Sequence, residues 1–422
     1  MRVRPDRRAR GHDRVVLFAL ALKLFFRSAL VEALFEFLEA TPPAWSRSST
    51  RVRADALSVV HSLETRNGPK PVGFIELLQS CTVPDRSTYH QLSMGIYRLL
   101  LALAVVLSHV GIAVHGKNPG IVAVVSFFLL SGYVMTALIE RHYASASSFP
   151  RFLLDRSMRL FPQFLFYSAL TLVLIFLFHP ESEFTSGLTP STVAMNLTML
   201  PLNFFRYFPN AQTVPQAWSL GLEAQFYLVI PFILILGLRV PAILLSLSFF
   251  LLPFFDVIDP DTWSYRMLPG TLFIFIIGSF LRTEDKKPLV VFVYVTSVAL
   301  CVLSATYHAI KYPLFEVTFG IAIGVPIVVA LRKVTFGSFD ELFGNLSYGV
   351  YLNHFFIMWC LQIAGLPRSS HFYVPTLVAS SLILAWVSYE LVEKRVVAAR
   401  RLLRKNPADA KSGTSTELSK AS

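Results

Sequence analysis

The feature that most constrains this chain is a succession of apolar stretches, each near the length a helix needs to cross a bilayer. A span takes about 20 mostly apolar residues. Ten stretches are candidates: 95–114, 120–139, 159–178, 217–238, 240–255, 266–281, 288–306, 313–331, 345–364 and 374–393. Two of them, 240–255 and 266–281, are short for a span. Hydrocarbon offers the backbone no hydrogen-bond partner, so segments patterned this way are expected as helices. Composition points the same way, with 54% hydrophobic and 15% charged residues, where a soluble domain carries about a quarter charged. The expected fold is an all-α integral membrane protein of about ten transmembrane helices, with the lipid bilayer as its first partner.

A net charge of +12 over 422 residues would suggest a nucleic-acid partner in a soluble protein. Here the cations lie between apolar stretches, where they set topology, and no nucleic acid is expected. Lys and Arg are markedly asymmetric between alternate connections. Sixteen follow the even-numbered spans, six of them between Lys394 and Lys405, and five follow the odd-numbered ones: Lys117, Arg206, Arg266, Lys311 and Arg368. The positive-inside rule then places the even set and both termini in the cytoplasm. The three cysteines, Cys81, Cys301 and Cys360, are scattered without a CxxC pair and imply neither a disulfide framework nor a zinc site.

Residues 1–93 do not fit the pattern. Their apolar run is broken by Lys23, Arg27, Glu32, Glu36 and Glu39, which makes a poor span and no secretory signal. The segment reads as an N-terminal extension, either interfacial or upstream of a true start at Met94. The connection 179–216 is the longest on the outer side; its part 193–208 reads as interfacial or re-entrant, either a spacer or a lid over a site. The tail 396–422 is basic and then, from Asn406, polar and disordered.

Ionisable side chains inside spans are costly and ask for a reason. In YRLLLALAVVLSHVGIAVHG, Arg98 and His109 are eleven residues apart. That spacing puts both on one helix face, about 16 Å apart along the axis. The fourth span opens AWSLGLEAQFYLVIPF, with Trp218 at the outer interface and Glu223 at a depth similar to that of His109. An imidazole and a carboxylate at one depth could form a general base with its orienting partner, if the two spans meet. In FLLDRSMRLFP, Arg156 and Arg159 are neighbours on a helical turn, suited either to a phosphate-bearing ligand or to topology alone. His354, near the middle of the ninth span, is structural or lines a cavity. The acids Asp256, Asp259 and Asp261 lack a calcium-loop pattern and read as a solvated turn; no metal site is expected.

Taken in order, these segments resemble the acyltransferase 3 family of bacterial membrane O-acyltransferases. The resemblance covers about residues 94–395. It rests on the Arg98-x10-His109 spacing, SFFLLSGYVMT with Ser131-Gly132-Tyr133, the RxxR of Arg156 and Arg159, WSLGLEAQFYL, and LSYGVYLNHF with the later Tyr389-Glu390-Leu391-Val392-Glu393. It implies that 94–395 is a membrane acyltransferase domain in the bacterial cytoplasmic membrane, with no bound cofactor. It implies an acyl-CoA donor, usually acetyl-CoA, held from the cytoplasmic side, and an acceptor hydroxyl, usually on a glycan or lipid-linked glycan, at the outer side. The positions it carries over are Arg98, His109 and Glu223 for catalysis and Ser131, Gly132, Tyr133, Arg156 and Arg159 for the donor, with Trp218 and His354 as candidate cavity residues. The chain departs from the family where Glu-x-Pro reads Glu393-Lys394-Arg395, and where the arginine-to-Phe-x-x-Gly element reads RMLPGTLFIFIIG. The rival readings are a transporter or channel, against which no similarity between the two halves speaks, and a non-catalytic member of the same fold.

Overall fold

A computed structural model describes residues 94–208, 210–306, 312–332, 334 and 338–404. The extension 1–93 and the polar end of the tail lie outside the described residues, so the expectations made for them do too. The described residues form an all-helical membrane protein in which a helix occupies each of the ten apolar stretches. Six of the segments are long and apolar enough to cross a membrane: Pro119–His142, Ala146–Phe178, Pro215–Ile235, Lys287–Thr306, Leu314–Leu331 and Tyr373–Arg400. Three apolar helical segments are shorter, Gly95–His109, Arg239–Phe255 and Leu268–Thr283.

The first helix, α1 (Gly95–His109), is shorter than its apolar stretch. Gly111, at φ +91°, turns the chain one residue after the Val110 cap, and a left-handed residue at that place ends a helix. His109 is therefore the last residue of α1 rather than an interior one. Helix α2 (Pro119–His142) begins on Asn118, whose side chain accepts from the Gly120 and Ile121 amides at 2.9 and 3.4 Å, a preferred capping arrangement. It continues through α3 (Phe149–Phe178), the short α4 (Pro190–Leu197), α5 (Trp218–Ile235), α6 (Arg239–Leu251) and α7 (Leu268–Thr283). Next come α8 (Lys287–Thr306), α9 (Leu314–Leu331), α10 (Ser338–Ile363), α11 (Tyr373–Ser388) and, after a π-helical turn over Tyr389–Glu393, α12 (Lys394–Arg404).

Helix α2 is the hub, packed against α1, α7 and α9 and touching α5. The close approach of α2 and α7 needs small residues, because hydrocarbon supplies no hydrophobic drive and backbones must meet directly. A Cβ on Gly132 would strike the Phe275 carbonyl, and one on Gly278 the Leu129 carbonyl. Thr136 donates across the same seam to Ser279 Oγ at 2.8 Å. Helix α1 lies parallel to α10 with a constant offset: the Asp340 carboxylate accepts from the Gly95 and Ile96 amides at 2.9 and 2.8 Å, and fourteen residues on, His109 meets His354 at 3.1 Å. One helix therefore caps the other's N-terminus and registers it.

In the segment 193–208, expected as interfacial or re-entrant, the end of α4 and a 3₁₀ turn over Leu202–Phe204 form short helical pieces. One further expectation is corrected. The acids after α6 are not all solvated: Asp261, only 6% exposed, is paired with Arg206 and with Arg266, the latter at 3.1 Å. The missing proline after Glu393 has a plain consequence, since the helix runs on into α12 instead of stopping.

Candidate active site

One face of α10 connects every part of the site. At three- and four-residue spacing, which stacks side chains on one face, it carries Tyr348, Tyr351, His354 and Phe355, then Trp359 and Gln362. Tyr348 and Tyr351 line a cavity of about 140 Å³ together with Arg98, Ser131, Arg156, Arg159, Glu223 and Tyr227. Phe355, Trp359 and Gln362 line a second cavity of about 690 Å³ near the other end of the helix, closed by Glu181–Phe184 and by Gly365–Arg368. Between the two stands the histidine pair. His354 Nε2 lies 3.1 Å from His109 Nδ1, the rings stack with centroids 5.0 Å apart, and Phe355 packs against both.

The arginine cavity collects most of the residues singled out in the sequence. Ser131 donates to Glu223 Oε1 at 2.7 Å and the Tyr227 hydroxyl donates to the same atom at 2.5 Å. Arg156 is bound to the wholly buried Asp155, and Arg159 to Glu393, with its guanidinium 5.2 Å from the Tyr348 ring centroid. Each of the two arginines therefore already holds a carboxylate, a partnership the RxxR spacing alone did not show. Tyr351 closes the cavity toward the histidines; its hydroxyl donates to the Gln216 carbonyl at 2.6 Å and meets Ser219 Oγ at 2.7 Å.

Three expected positions fall elsewhere. His109 is paired with His354, not with Glu223, because α1 packs on α10 and α2 while Glu223 on α5 is held by Ser131 and Tyr227. Of the Ser131-Gly132-Tyr133 run only Ser131 enters the cavity. Successive helical residues point about 100° apart, so Gly132 is turned onto α7 and Tyr133 lies under the Arg282 guanidinium at 5.9 Å. Trp218 lines neither cavity; its ring lies 4.6 Å from the Arg266 guanidinium and 4.9 Å from Tyr265. The sequence reading gave no site role to Asp155, Tyr227, Tyr348 and Tyr351, nor to Glu393, which it named only as part of the closing motif. A lone acid beside two arginines in FLLDRSMRLFP was the signal for Asp155.

The hydrogen-bond chain sets the proton positions, which are assigned by partner rather than observed. His354 Nδ1 faces the Val350 carbonyl at 3.4 Å; with its proton there, Nε2 accepts from His109 Nδ1–H. The remaining nitrogen of His109, Nε2, then carries a lone pair and can take a proton from a hydroxyl or attack a carbonyl.

Residues 92–390 match the sequence profile of a family described as an acyltransferase domain. Among curated relatives, a putative peptidoglycan O-acetyltransferase of Bacillus subtilis, YrhL, is 25% identical over 359 residues, which is 74% of this chain and 56% of that protein. The peptidoglycan O-acetyltransferase OatA of Listeria monocytogenes is 23% identical over 340 residues, 70% of this chain and 54% of its own length. An uncharacterized protein of Aquifex aeolicus is 31% identical over 205 residues, 44% of this chain and 89% of the relative. The chain thus spans about half the length of the two O-acetyltransferases it matches. No solved structure matches it.

Proposed function

The chain belongs to this acyltransferase family, and from that premise we propose that it is an O-acetyltransferase of the bacterial cytoplasmic membrane, carrying an acetyl group from cytoplasmic acetyl-CoA to a glycan hydroxyl at the outer face. The observation that carries the reading is the placement of the histidine pair between two cavities of different chemistry. The cationic one suits a donor bearing phosphates. The aromatic one suits a sugar, whose ring faces pack on aromatic side chains while its hydroxyls find groups such as Gln362 and the acids at 181 and 183. The two relatives named as peptidoglycan O-acetyltransferases favour a glycan of the cell envelope as acceptor.

The residues then take the following roles. The donor's phosphates rest near Arg156 and Arg159, and its extended arm runs past Arg98 and the tyrosines of α10 toward His109. His109 Nε2 takes the proton of the acceptor hydroxyl as that oxygen bonds to the thioester carbonyl carbon. The C–S bond breaks, and the thiolate leaves with the proton that the imidazolium returns. His354 holds His109 in the tautomer that presents Nε2, and Glu223, with its two hydroxyl donors, fixes the wall of the donor channel. In the alternative route the acetyl group passes first to His109 Nε2 and then to the acceptor. A rapid quench that traps acetyl-histidine selects the second route, and single-step kinetics without that species selects the first.

The reading is tested by mass spectrometry of envelope glycans from cells with and without the gene, alongside purified chain incubated with acetyl-CoA and glycan fragments. Acetylated glycan is expected only with the wild-type chain. Undiminished acetylation by His109→Ala, or no acetylation by wild type, would overturn it.

A further inference from the structure

The charge balance at the end of the arginine cavity is uneven. Arg159 and Glu393 form a one-to-one ion pair. Asp155, with no exposed surface, instead serves three guanidinium groups. Arg156 binds it from the neighbouring position; Arg400 Nε reaches Oδ1 at 3.1 Å, and Arg404 reaches both oxygens, at 3.1 and 3.0 Å. Among the described residues four arginines thus face two carboxylates, an excess of two positive charges. Arg156 and Arg400 are 5% and 9% exposed. Buried charge without a counterion is costly, so a place built this way favours an anion.

A second observation stands beside the first. Tyr143, 4% exposed, sets its hydroxyl beside Arg404 in the field of Asp155 and Arg156, and that hydroxyl finds no acceptor for its proton among the described residues. Burial pushes this hydroxyl above the ordinary phenol range, so it stays protonated and able to donate. Arg156 belongs to both places, since it also lines the cavity whose far wall, Tyr351, stands 6.3 Å from the His354 ring. An anion on this cluster would lie at the end of the channel away from the histidines, where an extended acyl thioester carries its phosphates.

The geometry points to α12 as part of the donor site: Arg400 and Arg404, held with Arg156 on Asp155, form a phosphate-binding cluster, completed by the Tyr143 hydroxyl, for the nucleotide end of the acyl-CoA. The inference rests on the donor reading above. It adds residues that lie beyond the family match, which ends at 390. Asp155 acts as a positioning residue that orders the three planar groups, which are suited to bidentate phosphate contact. The carboxylate does not itself touch the ligand.

Binding to the purified full chain in phosphatidylcholine nanodiscs tests this, with CoA as probe and His109→Ala as a control that leaves the cluster intact. Wild type and His109→Ala are expected to bind CoA alike, and R400Q/R404Q to bind it roughly tenfold or more weakly, as expected when charge-assisted contacts are lost. R400K/R404K should recover part of the loss. Equal CoA affinity in a double variant that remains monodisperse, with an unchanged melting temperature, overturns the α12 site and leaves the donor reading standing. No CoA binding by wild type overturns both. Should R400Q/R404Q fail to fold, R404Q alone, at the more exposed of the two positions, decides, and unchanged CoA affinity in it overturns the α12 site. Adenosine 3′,5′-bisphosphate should displace CoA where adenosine does not, and equal displacement by the two would sink the cluster. Anionic phosphatidylglycerol discs separate the lipid source of phosphate: if they abolish CoA binding to wild type, the cluster holds lipid headgroups and the donor assignment falls.

Discussion

The two cavities on either side of His109 and His354 are built from opposite materials, although one helix lines both. Toward the start of α10 the walls are Arg98, Arg156, Arg159 and Glu223, with Arg156 held by the adjacent Asp155 and Arg159 by the distant Glu393. Toward its end the walls are Phe184, Phe355 and Trp359, and polar groups come from the connecting loops. Charged groups cost little there only when each is satisfied inside the protein, so the arginine cavity is fixed by ion pairs contributed by α3, the turn after α11 and α12. The aromatic cavity depends on packing and loop contacts, such as Gln362 donating to the Glu181 carbonyl at 3.3 Å. The contrast teaches that one side is fixed by ion pairs inside the protein, while the other is shaped by packing and loop contacts.

That contrast can be broken at its centre first. His109→Ala should lower acetyl transfer by about 10²- to 10⁴-fold, the usual contribution of a positioned acid–base group, with insertion and melting temperature unchanged; full activity would leave the pair without a role. Arg159→Gln should raise the KM for the donor by about tenfold while the acceptor KM holds, and steady-state kinetics with each substrate varied checks this. A shift in the acceptor KM alone would exchange the assignments of the two cavities. Trp359→Ala should do the reverse, raising the acceptor KM by roughly fivefold through loss of aromatic contact, and the same kinetics measure it. The smallest effect is expected outside both cavities. Asp340→Ala removes a side-chain cap worth about 1 kcal/mol and should lower the melting temperature by about 2–4 °C, with both KM values close to wild type.

The helices were largely legible because hydropathy is a local property: each apolar stretch had to satisfy its own backbone, and a helix stands at each. Their lengths were less legible. The end of α1 at His109 follows from a left-handed glycine two residues on, and apolar residues up to Val114 hid it. In the site, Arg98, Ser131, Arg156, Arg159 and Glu223 were all singled out from the sequence and do share one cavity. The partners that lie far along the chain were not readable. Asp155 meets Arg400, and Arg159 meets Glu393.

The sequence by itself determined that this is a multi-pass helical membrane protein that belongs to an acyltransferase family. Hydrocarbon forces the first conclusion residue by residue, and the ordered motifs carry the second. Only the tertiary structure decided which ionisable groups meet. Depth along a helix can be counted from a sequence, but which neighbour stands at that depth depends on how the helices pack. The same carboxylate that sequence spacing set level with His109 turned out to belong to Ser131 and Tyr227. Because α1 packs parallel to α10, the partner of His109 is a second histidine, 245 residues away.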